Sequence, residues 1–131
     1  MILVDSSVWI DYFNGRRTAQ TDWLDSALGS TPVIVGDLIL TEVLKGFQNQ
    51  REFNIAKDLL LNMPFMAMVG REIALKSAEN YRSLRRKGVS VRKTMDVLIG
   101  TFCIHYELPL LHSDRDFEPM IHILGLKTVD T

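Results

Sequence analysis

Met1-Ile2-Leu3-Val4-Asp5-Ser6-Ser7-Val8-Trp9-Ile10-Asp11-Tyr12-Phe13-Asn14-Gly15 opens the chain. Ile2-Leu3-Val4 is an uninterrupted apolar run with a β-branched bias, too short for a helix and suited to a strand buried on both faces. Asp5-Ser6-Ser7 ends it and starts a helix, with a serine expected as the cap. Val8, Trp9, Tyr12 and Phe13 then recur at helical spacing, and Asn14-Gly15 stops them. A strand passing directly into a helix is the first half of a βαβ unit. If the pattern repeats, the fold is α/β with a mainly parallel sheet.

It does repeat. Pro32-Val33-Ile34-Val35 reads as a second strand, and Leu40, Val43, Leu44 and Phe47 mark the helix after it. Another helix is expected over residues 21–28 and a fourth over 53–61, ended by Asn62-Met63-Pro64. Phe65 to Val69 is a third strand candidate. Residues 72–87 read as a long helix closed by Gly88, and 94–106 as a helix apolar on most faces. Pro109-Leu110-Leu111 is a further strand, and a short helix and a last strand near Lys127-Thr128-Val129 complete the pattern.

The 131 residues fit one domain, 1–131, with 47% hydrophobic residues, enough for one core and too many for a disordered chain. Fifteen basic against sixteen acidic residues leave a net charge of −1, which argues against gripping nucleic acid by bulk charge alone. The single cysteine, Cys103, rules out an internal disulfide and a multi-cysteine zinc site, and a reducing cytosolic setting is the simple reading. No segment approaches the roughly 18 apolar residues of a membrane span, and the start does not read as a signal peptide.

Ligands of parallel α/β sheets bind beyond the carboxyl ends of the strands. Asp5 follows the first strand, and Asp114 and Asp116 follow Leu110-Leu111. Asp5 is either a helix cap or, if Ser6 or Ser7 caps instead, a free carboxylate. Glu42 lies off the apolar stripe of its helix, on a solvated face by default. Asp96 is the only acid between Glu79 and Glu107 and sits among Met95, Val97, Leu98 and Ile99; it is either a first-turn residue behind a Thr94 cap or a buried carboxylate in need of a partner. Asp114 and Asp116 suit either turn chemistry or oxygen ligation of a hard cation. Three or four clustered carboxylates repel one another unless a cation neutralises them, and oxygen-only ligands select Mg²⁺ or Mn²⁺ over zinc. The histidines show no metal-ligand spacing with Cys103, and no phosphate-cradling glycine loop is present. Arg82, Arg85, Arg86, Lys87, Arg92 and Lys93 form an acid-free basic stretch leading to Asp96, as a phosphodiester substrate would favour.

At four places the sequence resembles the PIN-domain ribonucleases, especially the VapC-type toxins of bacterial toxin–antitoxin pairs. Val4-Asp5-Ser6-Ser7-Val8-Trp9-Ile10 resembles their first motif and Thr41-Glu42-Val43-Leu44-Lys45-Gly46 their second. Met95-Asp96-Val97-Leu98-Ile99-Gly100 resembles the third, and Leu111-His112-Ser113-Asp114-Arg115-Asp116-Phe117-Glu118 the fourth. Order, spacing and total length agree. The resemblance implies a Rossmann-like PIN fold whose strand ends gather Asp5, Glu42, Asp96 and Asp114, with Asp116 as a possible extra acid, around Mg²⁺ or Mn²⁺. Asp5 and Asp96 would be the principal metal ligands, with Ser7 and Ser113 behind them. It further implies metal-dependent hydrolysis of RNA, with Arg85, Arg86, Arg92 and Lys93 as candidate RNA contacts, a cognate VapB-type antitoxin, toxin homodimers, and a cytoplasmic setting without a membrane. A non-catalytic α/β interaction module and a PIN nuclease outside toxin–antitoxin systems are the competing readings. A phosphotransfer domain is disfavoured because Ser7 stands where an Asp-x-Asp would need its second acid.

Overall fold

The computed structural model describes residues 1–131. The first strand, β1 (Ile2–Val4), is buried at every position, as expected of a strand covered on both faces. The chain turns at once into α1 (Ser6–Phe13) and then α2 (Ala19–Ala27). β2 (Val33–Gly36) leads into α3 (Asp37–Leu44), and α4 (Gln50–Leu61) precedes a two-residue strand β3 (Phe65–Met66). The long α5 (Gly70–Arg86) and the apolar α6 (Thr94–His105) follow. Then come β4 (Leu110–Leu111), a 3₁₀ turn at Arg115–Phe117 and α7 (Glu118–Leu124).

The sheet order is β3-β2-β1-β4, with every pairing parallel. β1 is thus central, with Leu3 opposite both Ile34 and Leu110. Such a sheet places the carboxyl ends of all its strands at one edge, which is why acids distant in sequence can converge there. Leu3, Val4, Trp9, Ile39, Ile99, Phe102, Leu110 and Phe117 are among the buried residues of one continuous core. Each fully buried aliphatic or aromatic side chain contributes about 1.5–3 kcal/mol relative to exposure.

Several local expectations are corrected. No serine caps α1: Asp5 does so, its carboxylate accepting the Ser7 N–H. Thr94 does not cap α6; the cap position is Lys93, with no side-chain bond to the backbone. The third strand is shorter than residues 65–69, because beyond Met66 the chain turns inward and seats Met68 against Gly36. The last strand is reduced to one bridge, Thr128 beside Leu110. Gly88 closes α5 as expected, in the left-handed conformation (φ +81°) that glycine adopts without strain. No helix is long and apolar enough to cross a membrane.

Candidate metal centre

Asp5 stands where β1 becomes α1. Its own N–H donates to Leu111 O at 2.9 Å, which fixes it beside the end of β4. Its Oδ2 accepts the Ser7 N–H at 3.0 Å and the Ser7 hydroxyl at 2.6 Å. Burial pushes the Asp5 carboxyl above its ordinary pKa; the Ser7 bonds pull it down and the nearby Asp114 charge pushes it up. The capping and functional readings of Asp5 are therefore compatible: one oxygen caps the helix, and Oδ1 accepts no hydrogen bond from the protein.

Glu42 reaches the same edge from α3. The start of α3 is held by Asp37, whose Oδ1 accepts the N–H groups of Leu38 and Met68, both at 3.0 Å. The expected solvated face is only half exposed, and Glu42 Oε1 accepts the Ser6 hydroxyl at 3.1 Å. Burial raises its pKa, the Ser6 bond lowers it, and the Asp5 charge raises it again, for a net rise.

Asp96 occupies the first turn of α6 and is 6% exposed. Its Oδ2 is buried and has no hydrogen-bond partner; the nearest cation is the Lys93 ammonium at 3.7 Å. Burial lifts its pKa to about 6, Lys93 opposes the rise, and Asp114, Asp5 and Asp116 add to it. The positive end of the α6 dipole offsets only part of the cost of a charge buried there.

Asp114 follows β4. Its Oδ1 accepts the Asp116 N–H at 2.9 Å, starting the 3₁₀ turn, and its Oδ2 accepts from Lys93 Nζ at 3.2 Å. Burial acts to raise its pKa, but the Asp116 N–H and Lys93 outweigh it and hold the carboxyl below its ordinary value. The turn brings Asp116 round to the same side. One oxygen each from Asp96, Asp114 and Asp116 lie within 4.8 Å of one another. Asp114 and Asp116 both belong to this trio, and Asp5 is close enough for its charge to act on Asp96.

Ser7 and Ser113 join the two halves of the site, since the Ser113 N–H donates to Ser7 Oγ at 3.1 Å. Arg92 lies at the rim, its Nη1 3.9 Å from Asp116 Oδ1. Arg85 and Arg86 are not brought to the acids: Arg85 lies over the Tyr81 ring at the end of α5, and Arg86 donates to Ser83 Oγ at 3.1 Å. A cleft of about 630 Å³ opens beside Asp114 and Asp116, lined also by Arg92, Lys93, Ser113 and Arg115. Trp9 is fully buried, and Tyr12, Phe13 and Phe47 pack against the core, so the aromatic group is mainly structural.

Two participants were not singled out for the parts they play. Ser6 orients Glu42, and nothing in a Ser-Ser pair says which serine does so. Lys93 lies between Asp96 and Asp114; its spacing of three from Asp96 was the available signal. Hard oxygen donors around a buried, unpartnered carboxylate oxygen fit a divalent cation, and the three grouped carboxylates form ion pairs only with Arg92 and Lys93, which leaves charge for one to neutralise.

Comparison with known proteins agrees with this fold. The chain is 26% identical over 129 residues to ribonuclease VapC11 of Mycobacterium tuberculosis, covering 97% of this chain and 96% of that one. In fold it is similar to VapBC2 from Rickettsia felis, solved bound to a DNA fragment from its promoter, with TM-score 0.77, 16% identity and 98% of each chain covered. It is also similar to a toxin–antitoxin complex from Klebsiella pneumoniae, with TM-score 0.72, 17% identity, and 98% of this chain and 97% of that one covered. The family model for the PIN domain matches residues 2–120, which span all four acid-bearing segments, and the chain belongs to the PIN domain family.

Proposed function

We propose that this chain, working as one domain over residues 1–131, is a metal-dependent endoribonuclease and the toxin of a VapBC-type toxin–antitoxin pair. The observation that carries the reading is the buried Asp96 Oδ2, which has no hydrogen-bond partner and belongs to a trio of carboxylates within 4.8 Å of one another. An anion left this way is costly unless a cation completes it. The ribonuclease named among its relatives supports RNA as the substrate.

Asp96, Asp114 and Asp116 hold the cation, Mg²⁺ or Mn²⁺, and Asp5 completes the site with the oxygen its cap leaves free. Such an ion supplies Lewis acidity, activating water and neutralising charge on a phosphodiester. Glu42, fixed through Ser6, orients the attacking water. Ser7 and Ser113 keep Asp5 and Asp114 in register. Arg92 and Lys93 face the cleft and contact the phosphate backbone, while Arg85 and Arg86 extend the basic track along the end of α5. A VapB-type antitoxin is the partner, by analogy with the toxin–antitoxin complex of similar fold. A homodimer and a cytoplasmic setting complete the reading.

The test is cleavage of total RNA by the purified chain in Mg²⁺ or Mn²⁺. Discrete cleavage should vanish in EDTA and in Asp5→Asn and Asp96→Asn. Variants that cut as well as the parent, from antitoxin-free preparations, would remove the acids from the chemistry.

A further inference from the structure

Lys93 occupies an unusual place. It is the last residue before α6, its backbone still extended (φ −134°, ψ 121°), so its side chain reaches back across the start of the helix rather than along it. Its ammonium is 3.2 Å from Asp114 Oδ2 and 3.7 Å from Asp96 Oδ2. Asp96 Oδ2 is buried and has no hydrogen-bond partner, so Lys93 is the only cation paired with it. These two oxygens belong to two of the three carboxylates grouped tightly enough to ligate a metal.

An ammonium is a compact, strongly hydrated point charge with three donors on a flexible stem. Among clustered carboxylates it relieves the same repulsion that a divalent ion relieves, and it uses the same lone pairs. The two cations cannot share those oxygens without repelling each other. Lys93 also has somewhere to go: its side chain is 54% exposed and it lines the open cleft of about 630 Å³ beside Asp114 and Asp116. Arg92 is different. It meets only Asp116, at 3.9 Å, from a side chain 79% exposed at the rim.

We propose that Lys93 is a tethered counter-ion of the acidic site: its ammonium stands in for the metal between Asp96 and Asp114, and divalent-ion binding requires it to move out into the cleft. The inference rests on the metal-site reading above. It assigns Lys93 a determining part in metal affinity, separate from any contact with RNA. The protein trades tight metal binding for an acid cluster that stays assembled without metal. Ion binding then exposes a displaced cation on the face where a phosphodiester would lie.

The test is Mn²⁺ binding by calorimetry, with thermal unfolding in EDTA alongside, on the parent, Lys93→Met, Lys93→Gln, Arg92→Met and Asp96→Asn. Removing the competitor should tighten Mn²⁺ binding in Lys93→Met by about tenfold or more, whereas the rim substitution Arg92→Met should change it less than about threefold. Lys93→Met should also unfold at a lower temperature than the parent in EDTA and gain more from saturating Mn²⁺. Lys93→Gln gives the same comparison should the methionine variant not fold. A parent that binds no measurable Mn²⁺ while a Lys93 variant does also supports competition. Affinity in both Lys93 variants within about twofold of the parent, or an equal gain in Arg92→Met, overturns it. If neither the parent nor any Lys93 variant binds Mn²⁺, the metal-site reading falls and this inference with it. If the parent binds and Asp96→Asn does not, while the Lys93 variants bind no tighter, only the assignment of Lys93 falls.

Discussion

The N–H of Ser113 donates to the hydroxyl of Ser7 at 3.1 Å, joining two residues 106 positions apart in sequence. That hydroxyl in turn donates to Asp5 Oδ2 at 2.6 Å. The strand-to-helix turn after β1 and the loop after β4 are therefore locked by one oxygen atom. Together with the bond from Asp5 N–H to Leu111 O, this relay ties the two segments twice.

Ser7→Ala removes the relay. Asp5 loses one of its two donors, and the Ser113 N–H loses its acceptor. The expected cost is about 1–2 kcal/mol in urea unfolding, with a drop of roughly ten- to a hundredfold in RNA cleavage as Asp5 loses its orientation. Full activity in a correctly folded Ser7→Ala protein would show that Asp5 needs no such brace.

Asp96→Asn should abolish Mn²⁺ binding and yet stabilise the metal-free fold. Its carboxylate is buried, and burial lifts its pKa to about 6, so at neutral pH the fold carries an ionised group at a cost that the unfolded chain does not bear. Neutralising the group should raise stability in EDTA by about 1–3 kcal/mol, read as a higher unfolding temperature. Saturating Mn²⁺ should reverse the order of parent and variant. A variant less stable than the parent in EDTA contradicts the argument.

The same group sets a pH dependence whose sign follows from linkage. Its folded pKa, about 6, exceeds the ordinary 3.8, so the folded chain holds this proton more tightly than the unfolded chain. The stabilisation is fully present below about pH 4 and is lost as pH rises through about 6. The stability gap between Asp96→Asn and the parent in EDTA should therefore open between those values and stay level above them. Mn²⁺ affinity should run the other way, weakening as pH falls below about 6, where protons compete for the oxygen. A gap constant from pH 4 to 7 would rule out the raised pKa.

Gly36→Ala tests how α3 is placed. A methyl group at Gly36 would collide with the Met68 side chain, which is buried against it. Overpacking of this kind costs about 1–3 kcal/mol. Because Gly36 immediately precedes the helix that carries Glu42, cleavage should fall as well. Met68→Val in the same chain should restore part of both losses, measured as a double-mutant cycle in urea. Independent, additive effects would show that the two residues do not meet.

Much of the framework was legible in the sequence because buried parallel strands advertise themselves. Ile2-Leu3-Val4 and Val33-Ile34-Val35 have no polar alternation, and Asp5, Asp96 and Asp114 each follow such a run or open a helix, whereas Glu42 lies well inside α3. The capping assignments failed for a specific reason. Aspartate and serine cap equally well, and the bond from Asp5 N–H to Leu111 O extends the sheet pairing to Asp5, so that the helix starts immediately after it and Asp5 takes the cap position. Asp116 was hard to place because its position depends on the 3₁₀ turn that Asp114 starts. The part of Lys93 was hidden in a backbone angle: spacing alone puts it on the helix with Asp96, whereas its extended conformation sends the ammonium across to Asp114.

The central position of β1 bears on timing. Asp5 is made well before its backbone partner Leu111 and its neighbour Asp114. One edge of β1 has no partner until β4 arrives. Synthesis proceeds from the N-terminus at about 5–20 residues per second, so for most of that time the growing chain holds its acids apart. A prematurely terminated chain lacking β4 would carry Asp5, Glu42 and Asp96 without the strand that closes the site around them. Closure of the acidic site therefore waits on β4, however early its first carboxylate is made.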